Sequence, residues 1–249
     1  MEKTRICAFG DSVMKGVVLE SVSPLKYTLP EKTFTDLCAD DLGLKIDNFA
    51  RFGSTLASIM KIVGRHLPQV ALSKCTLLGT GGNDCDFDWK AIASDPSGTH
   101  DPFTPLTEFT IAYGRLVEKV RALGSIPVVL SLTPVVPDKY FAHITRDMTP
   151  EGRRNVLDWL GGNPSFISQW HEMYNFHVMG LAAGRDVEVI DITSAFYERP
   201  GYEKLICEDG AHPNAAGQTL MARALGEGLR KIAGKRGLES LGGIQLAFC

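Results

Sequence analysis

A chain of 249 residues with 44% hydrophobic and 22% charged side chains, 25 Gly and 13 Pro has the balance of an ordinary globular protein, which excludes collagenous, coiled-coil and disordered classes. At about 150 residues per domain the length allows one or two domains, and α/β chains of this size often fold as one unit burying roughly 70–75% of their surface. The net charge of −3 is spread over scattered residues, so the footprint expected for a nucleic-acid backbone or an anionic membrane is missing.

The N-terminus offers only Ile6 to Phe9 as an apolar run, far too short for a signal-peptide core. The most apolar stretch, 122–137, is interrupted by Gly124, Pro127, Pro134 and Pro137 and falls short of the roughly 18 residues a membrane helix needs. A cytoplasmic location with no membrane partner is therefore expected. Cys7, Cys38, Cys75, Cys85, Cys207 and Cys249 lie far apart with no C-x-x-C pair, so zinc-site spacing is absent and they are read as thiols packed as small hydrophobes.

Short apolar runs alternate with helical periodicity along the chain, which predicts a parallel sheet covered on both faces. A first strand spans 5–9 and stops at Gly10; 33–42 is a helix with Phe34, Leu37 and Cys38 on one side and Gly43 as its stop. A second strand covers 45–49, after which Leu56, Ile59, Met60 and Val63 recur at helical spacing. The third strand covers 75–79, Phe109, Ala112, Leu116, Val117 and Val120 mark the next helix, and the fourth strand covers 126–132. Residues 134–164, rich in Pro, Gly and Asp, form a long excursion over one end of the sheet. Its Tyr140, Phe141, His143, Arg146 and Trp159 either cap a pocket or make an oligomer contact. Phe166, Trp170, Met173, His177, Val178 and Leu181 give a helix, 187–190 a fifth strand, and Leu220, Met221, Ala224, Leu225 and Leu229 the last helix. From Lys235 the chain is Gly-rich and weakly patterned, a tail or an oligomer contact. Five βα units without an internal repeat predict one doubly wound domain over 1–249, with chemistry at the carboxyl ends of its strands.

Gly10-Asp11-Ser12 follows the first strand directly and presents a serine hydroxyl at that edge, although the tripeptide also serves as a turn or helix cap. A serine needs a base, and Asp209-Gly210-Ala211-His212 before the last helix puts carboxylate and imidazole within one tight turn, the acid able to fix the imidazole tautomer. Asn214 just beyond is a candidate helix cap. The other histidines, His66, His100, His143, His171 and His177, read singly as surface or packed residues. Gly79-Thr80-Gly81-Gly82-Asn83-Asp84 ends the third strand in glycines and an amide that can meet a developing oxyanion or simply turn the chain. After the second strand, the Gly53 N–H is a further donor and Ser54 a candidate cap.

These blocks resemble the GDSL esterases of the SGNH hydrolase superfamily, whose four blocks are carried by Ser, Gly, Asn and His. The matches are Gly10-Asp11-Ser12, Gly53, Gly81-Gly82-Asn83-Asp84 and Asp209 through His212, spanning nearly the whole chain. The first block has Val13 where the family has leucine. The resemblance implies Ser12 as nucleophile, His212 as base and Asp209 as its orienting acid. It also implies an oxyanion hole of Ser12 N–H, Gly53 N–H and the Asn83 side chain. The family fold is a flavodoxin-like three-layer αβα sandwich with a five-stranded parallel sheet, and its chemistry implies neither a metal nor a cofactor.

Local chemistry narrows the substrate. Asp84-Cys85-Asp86-Phe87-Asp88-Trp89 alternates acids with aromatics beside the expected oxyanion hole. Carboxylates accept from sugar hydroxyls and aromatic faces stack on sugar rings. Candidate substrate contacts are therefore Asp11, Asp84, Asp86, Asp88 and Trp89. The same Asp-x-Asp-x-Asp spacing suits a calcium loop, but Trp89 stands where that loop needs glycine. The expectation is a serine esterase removing short acyl groups, acetyl first, from sugars or oligosaccharides. Its alternatives are a lipid, aryl-ester or thioester hydrolase and an acyltransferase.

Overall fold

The computed structural model describes residues 3–185 and 187–236. Strand β1 (Arg5–Gly10) leads through a short helix α1 (Ser12–Lys15) into an antiparallel hairpin, β2 (Val18–Val22) and β3 (Leu25–Thr28). Helix α2 (Phe34–Leu42) starts on a capping box between Thr33 and Asp36 and stops at Gly43, which takes φ +64°. Then follow β4 (Lys45–Asn48), α3 (Leu56–Arg65), α4 (Leu67–Leu72), β5 (Cys75–Gly79), α5 (Trp89–Ser94), α6 (Leu106–Ala122) and β6 (Ile126–Leu130). The expected excursion contains two helices, α7 (Pro137–Ile144) and α8 (Pro150–Trp159), before α9 (Ser165–Gly184), β7 (Glu188–Ile190), α10 (Ile192–Tyr197) and α11 (Ala215–Lys235).

The sheet has five strands in the order β4-β1-β5-β6-β7, all parallel. Side chains alternate between its faces as the pleat requires. Ile6, Ala8, Cys75, Leu77, Val128 and Leu130 face α2 and α11; Cys7, Phe9, Leu78 and Val129 face α3, α6 and α9. Both faces being buried explains why the strands read as continuous apolar runs. A third cluster, with Phe87, Trp89, Ile92, Val135, Phe141 and Val156, sits under the excursion. The tail expected from Lys235 falls on the end of α11 at Lys235 and Arg236, and beyond them outside the described residues. Among the described residues no helix is long and apolar enough to cross a membrane.

Candidate active site

At the carboxyl end of β1 the chain turns sharply. A Cβ on Gly10 would overlap the Gly79 carbonyl oxygen and the Met14 side chain, so the glycine lets β1 and β5 end side by side. Asp11 caps α1, its carboxylate accepting from the backbone N–H groups of Val13 at 2.9 Å and Met14 at 3.5 Å, and Ser12 is left at the first helical position.

The partner loop comes from the other end of the chain. Asn214 caps α11 by accepting from Ala216 and Gly217 N–H, and Cys207 N–H donates to the His212 carbonyl at 2.8 Å. Gly210, at φ +76°, gives its carbonyl to Val136 N–H at 2.8 Å, which seats the loop against the start of α7. In this frame His212 Nε2 lies 2.8 Å from Ser12 Oγ and Nδ1 lies 2.7 Å from Asp209 Oδ2. The other Asp209 oxygen accepts from Ala211 and His212 N–H, each at 3.1 Å. Burial works against an ionised Asp209, yet the bonds from the imidazole and the two amides hold its carboxyl at about 2. With Asp209 ionised, Nδ1 carries the proton and Nε2 is left to accept from the serine.

Opposite Ser12, the Asn83 amide donates to the Ser54 carbonyl at 3.1 Å, which orients the side chain and leaves its second hydrogen free. Gly53, at φ +68°, sits in a turn closed by Ser54 N–H on the Arg51 carbonyl. Among the described residues neither the Ser12 nor the Gly53 N–H has a protein acceptor. Ser12 and Asn83 line the cavity described next; beside Gly53 it is Phe52 that does so.

A cavity of about 680 Å³ opens over Ser12 and runs beneath the excursion. Its walls are largely apolar, with Phe87, Val135, Ile144, Met148, Ile167 and Trp170 among them. The expected substrate contacts fare unequally. Asp84 is fully buried and away from the cavity, so its expected contact is corrected. Both of its oxygens lie 3.0 Å from Leu56 N–H and it accepts from Thr104 Oγ1 at 2.7 Å, which makes it a cap for α3 supplied from a distant loop. It takes the place expected of Ser54; the residue at that helix end is Thr55, which makes no side-chain capping bond. Asp11 lines the cavity, but one oxygen serves α1, and burial pushes its carboxyl up to about 6 against the bonds from Val13 and Met14. Asp86, Asp88 and Trp89 line the cavity too. The Asp86 carboxylate accepts from Trp89 Nε1 at 2.8 Å, and Asp88 caps α5 through Lys90 and Ala91 N–H. Trp89 packs edge-on against Phe87 and Trp159.

Two neighbours of His212 were not foreseen. Phe52 lies parallel to the imidazole, ring centroids 6.0 Å apart, and Tyr27 of β3 tilts over it at 5.1 Å. The Tyr27 hydroxyl is 3.4 Å from His143 Nε2, and burial together with the nearby Asp209 carboxylate raises its pKa. The available signal was the two short runs at 18–22 and 25–28 separated by Ser23-Pro24, the spacing of a hairpin.

The pattern of the GDSL-like lipase/acylhydrolase family matches residues 8–220. No curated protein sequence matches the chain. Among solved structures, a lipase/acylhydrolase from Enterococcus faecalis is similar at a TM-score of 0.64 and 15% identity, over 93% of this chain and 96% of that one. A catalytic mutant of Axe2, an acetylxylan esterase from Geobacillus stearothermophilus, is similar at 0.61 and 15%, over 91% and 94%. A member of the lipolytic G-D-S-L family from Veillonella parvula is similar at 0.58 and 16%, over 90% and 97%. At these identities the likeness is one of fold. The family match over most of the chain says more: this protein belongs to the GDSL-like lipase/acylhydrolase family and is a serine hydrolase acting on ester bonds.

Proposed function

We propose that Ser12, His212 and Asp209 form the catalytic triad of this hydrolase, and that its substrate is an ester whose apolar portion occupies the chamber beneath the excursion. The observation that carries the triad is the unbroken run from Ser12 Oγ through the imidazole to Asp209 at 2.8 and 2.7 Å on the cavity wall. As Ser12 Oγ attacks the ester carbonyl, His212 Nε2 takes its proton, and Asp209 stabilises the imidazolium. The oxyanion is met by Ser12 N–H, Gly53 N–H and the free hydrogen of the Asn83 amide. Collapse of this intermediate breaks the bond to the alcohol oxygen, which takes the proton from His212. Water then attacks the acyl-serine with the same base and returns Ser12.

The substrate follows from the walls. Asp84 is out of reach, and Asp86 and Asp88 already accept from Trp89 and from the start of α5. What remains over most of the chamber is hydrocarbon and aromatic surface, which favours an apolar group. A second reading, acetylated oligosaccharides, is supported by Asp86, Asp88 and Trp89 lying together on the cavity wall. Aryl esters of rising acyl length separate the two, because each methylene that finds an apolar wall adds about 0.8 kcal/mol of burial. The expected result is kcat/KM rising severalfold from acetate through butyrate, abolished in a folded Ser12→Ala variant. A fall after acetate, with rapid acetate release from acetylated oligosaccharides, selects the second reading.

A further inference from the structure

His171 sits in α9 and lines the cavity while being only 7% exposed. Every other histidine among the described residues has a hydrogen-bonded ring nitrogen: His66 with the Ile62 carbonyl, His100 with that of Asp95, His143 with Arg146, His177 with Thr110, and His212 with Asp209 and Ser12. His171 has none: its Nδ1 is shielded and unpartnered, whereas its Nε2 is unpartnered without being shielded in that way and is the nitrogen a ligand can reach. Buried polar groups are almost always paired, and a reachable Nε2 without a protein partner on the wall of a ligand chamber is a place for a partner from the ligand.

The surroundings say what kind. One turn further along α9, Asn175 accepts from Leu132 N–H at 2.9 Å and donates to Thr193 Oγ1 at 3.0 Å. That clamp fixes the helix at the carboxyl edge of β6, beside the cavity-lining Leu132 and Thr133. Ile167 and Trp170 on the same helix add apolar wall. Of the charged residues lining the cavity, Asp88, Lys90, Arg146 and Asp147 are exposed, and the less exposed Asp11, Asp86 and Asp209 are bonded to Val13 N–H, Trp89 Nε1 and His212, whereas His171 is buried and unpaired. Burial disfavours its protonated form, against the pull of Glu172, so the ring carries no charge and its reachable Nε2 presents a donor or an acceptor according to the tautomer. A charged substituent there would be desolvated without compensation; a neutral oxygen would not.

We infer that His171 is a specificity-determining residue that hydrogen-bonds a neutral hydroxyl or carbonyl oxygen on the apolar part of the ester, so that esters of hydroxylated rings are preferred over plain hydrocarbon ones. This rests on the apolar chamber proposed above. Aromatic walls accept a ring edge-on or stacked, and a hydroxyaryl group is the simplest that brings ring and oxygen together.

The test uses methyl esters of phenylpropionate carrying a hydroxyl at the ortho, meta or para position, each against the ester with methyl in the same place. In the unmodified enzyme one hydroxylated isomer is expected to exceed its methyl counterpart about tenfold in kcat/KM, mainly through KM. His171→Phe should erase or invert that ratio, and His171→Gln should keep part of it. Equal ratios in the unmodified and His171→Phe enzymes, or no hydroxyl preference at any position, overturn the inference. Failure of the underlying reading looks different: the unsubstituted phenylpropionate ester would then not be turned over at all, or would be turned over without Ser12. Should His171→Phe fail to fold, the ¹⁵N shifts of His171 in a Ser12→Ala protein decide. They should move on binding the preferred hydroxylated ester and stay put with its methyl counterpart, and no movement with either overturns the inference.

Discussion

Asp11 and Asp209 approach the same serine from opposite ends of the chain and titrate in opposite directions. Asp11 is desolvated, and its folded pKa of about 6 lies above the ordinary 3.9 or so of an aspartate. Its contribution to stability is full below about pH 4 and is lost as pH rises through 6. Asn caps a helix as well as Asp does, so Asp11→Asn should flatten this slope and gain roughly 2–3 kcal/mol relative to wild type above pH 6. Urea unfolding of both proteins at pH 4 and pH 7 measures it, and a constant difference between them would refute the assignment. Asp209, held at about 2, contributes stability that is present above about pH 4 and lost as pH falls toward 2. Asp209→Asn should remove that acid-side slope, read from unfolding curves between pH 4 and 2. Asn83→Ala should lower kcat by about 10²–10³ in a folded protein if the amide meets the oxyanion; near-normal turnover would leave it only the bond to Ser54. Asp209 and His212 are three apart on one loop, so their meeting could be read along the chain. Asp84 could not be read that way, because its partner Leu56 belongs to another element 28 residues away.

The elements divide in the same manner. The five sheet strands and the longer helices were legible because each buries a whole face and repeats its pattern over enough residues to declare a period. Strand β6 stops at Leu130 rather than 132: Ser131 N–H still donates to the Ile190 carbonyl of β7, but the next amide, Leu132 N–H, goes to the Asn175 side chain. Helices α4, α5 and α10 have six residues each, too few for a period, and the β2–β3 hairpin has no face in the main sheet. The excursion was legible as an insertion over the sheet end, but its role as wall depends on where Gly210 holds it. A Cβ there would strike the Tyr140 nitrogen and the Val136 carbonyl, neither of which can yield, and φ +76° disfavours any side chain. Gly210→Ala should therefore cost at least about 1–3 kcal/mol in chemical unfolding. It should also lower kcat more than a surface Gly161→Ala control, whose Cβ would meet nothing within 4 Å.

At the scale of the molecule, the strand order β4-β1-β5-β6-β7 gathers the ends of β1 and β5 and the approach to α11 along one carboxyl edge, where doubly wound sheets place their ligands. The contact between Ser12 and His212 spans 200 residues, the largest separation in the site. It bears on how the enzyme comes into being. Synthesis runs from the N-terminus, so a growing chain displays its serine, its Asn83 amide and most of its chamber long before it owns a base. With the triad proposed above, the hydroxyl stays inert through that interval, and ester cleavage switches on only when the loop carrying His212 has been made and α11 has packed against α2 and the sheet. On that proposal, hydrolytic activity reports that the turn after β1 and the loop before α11 have met.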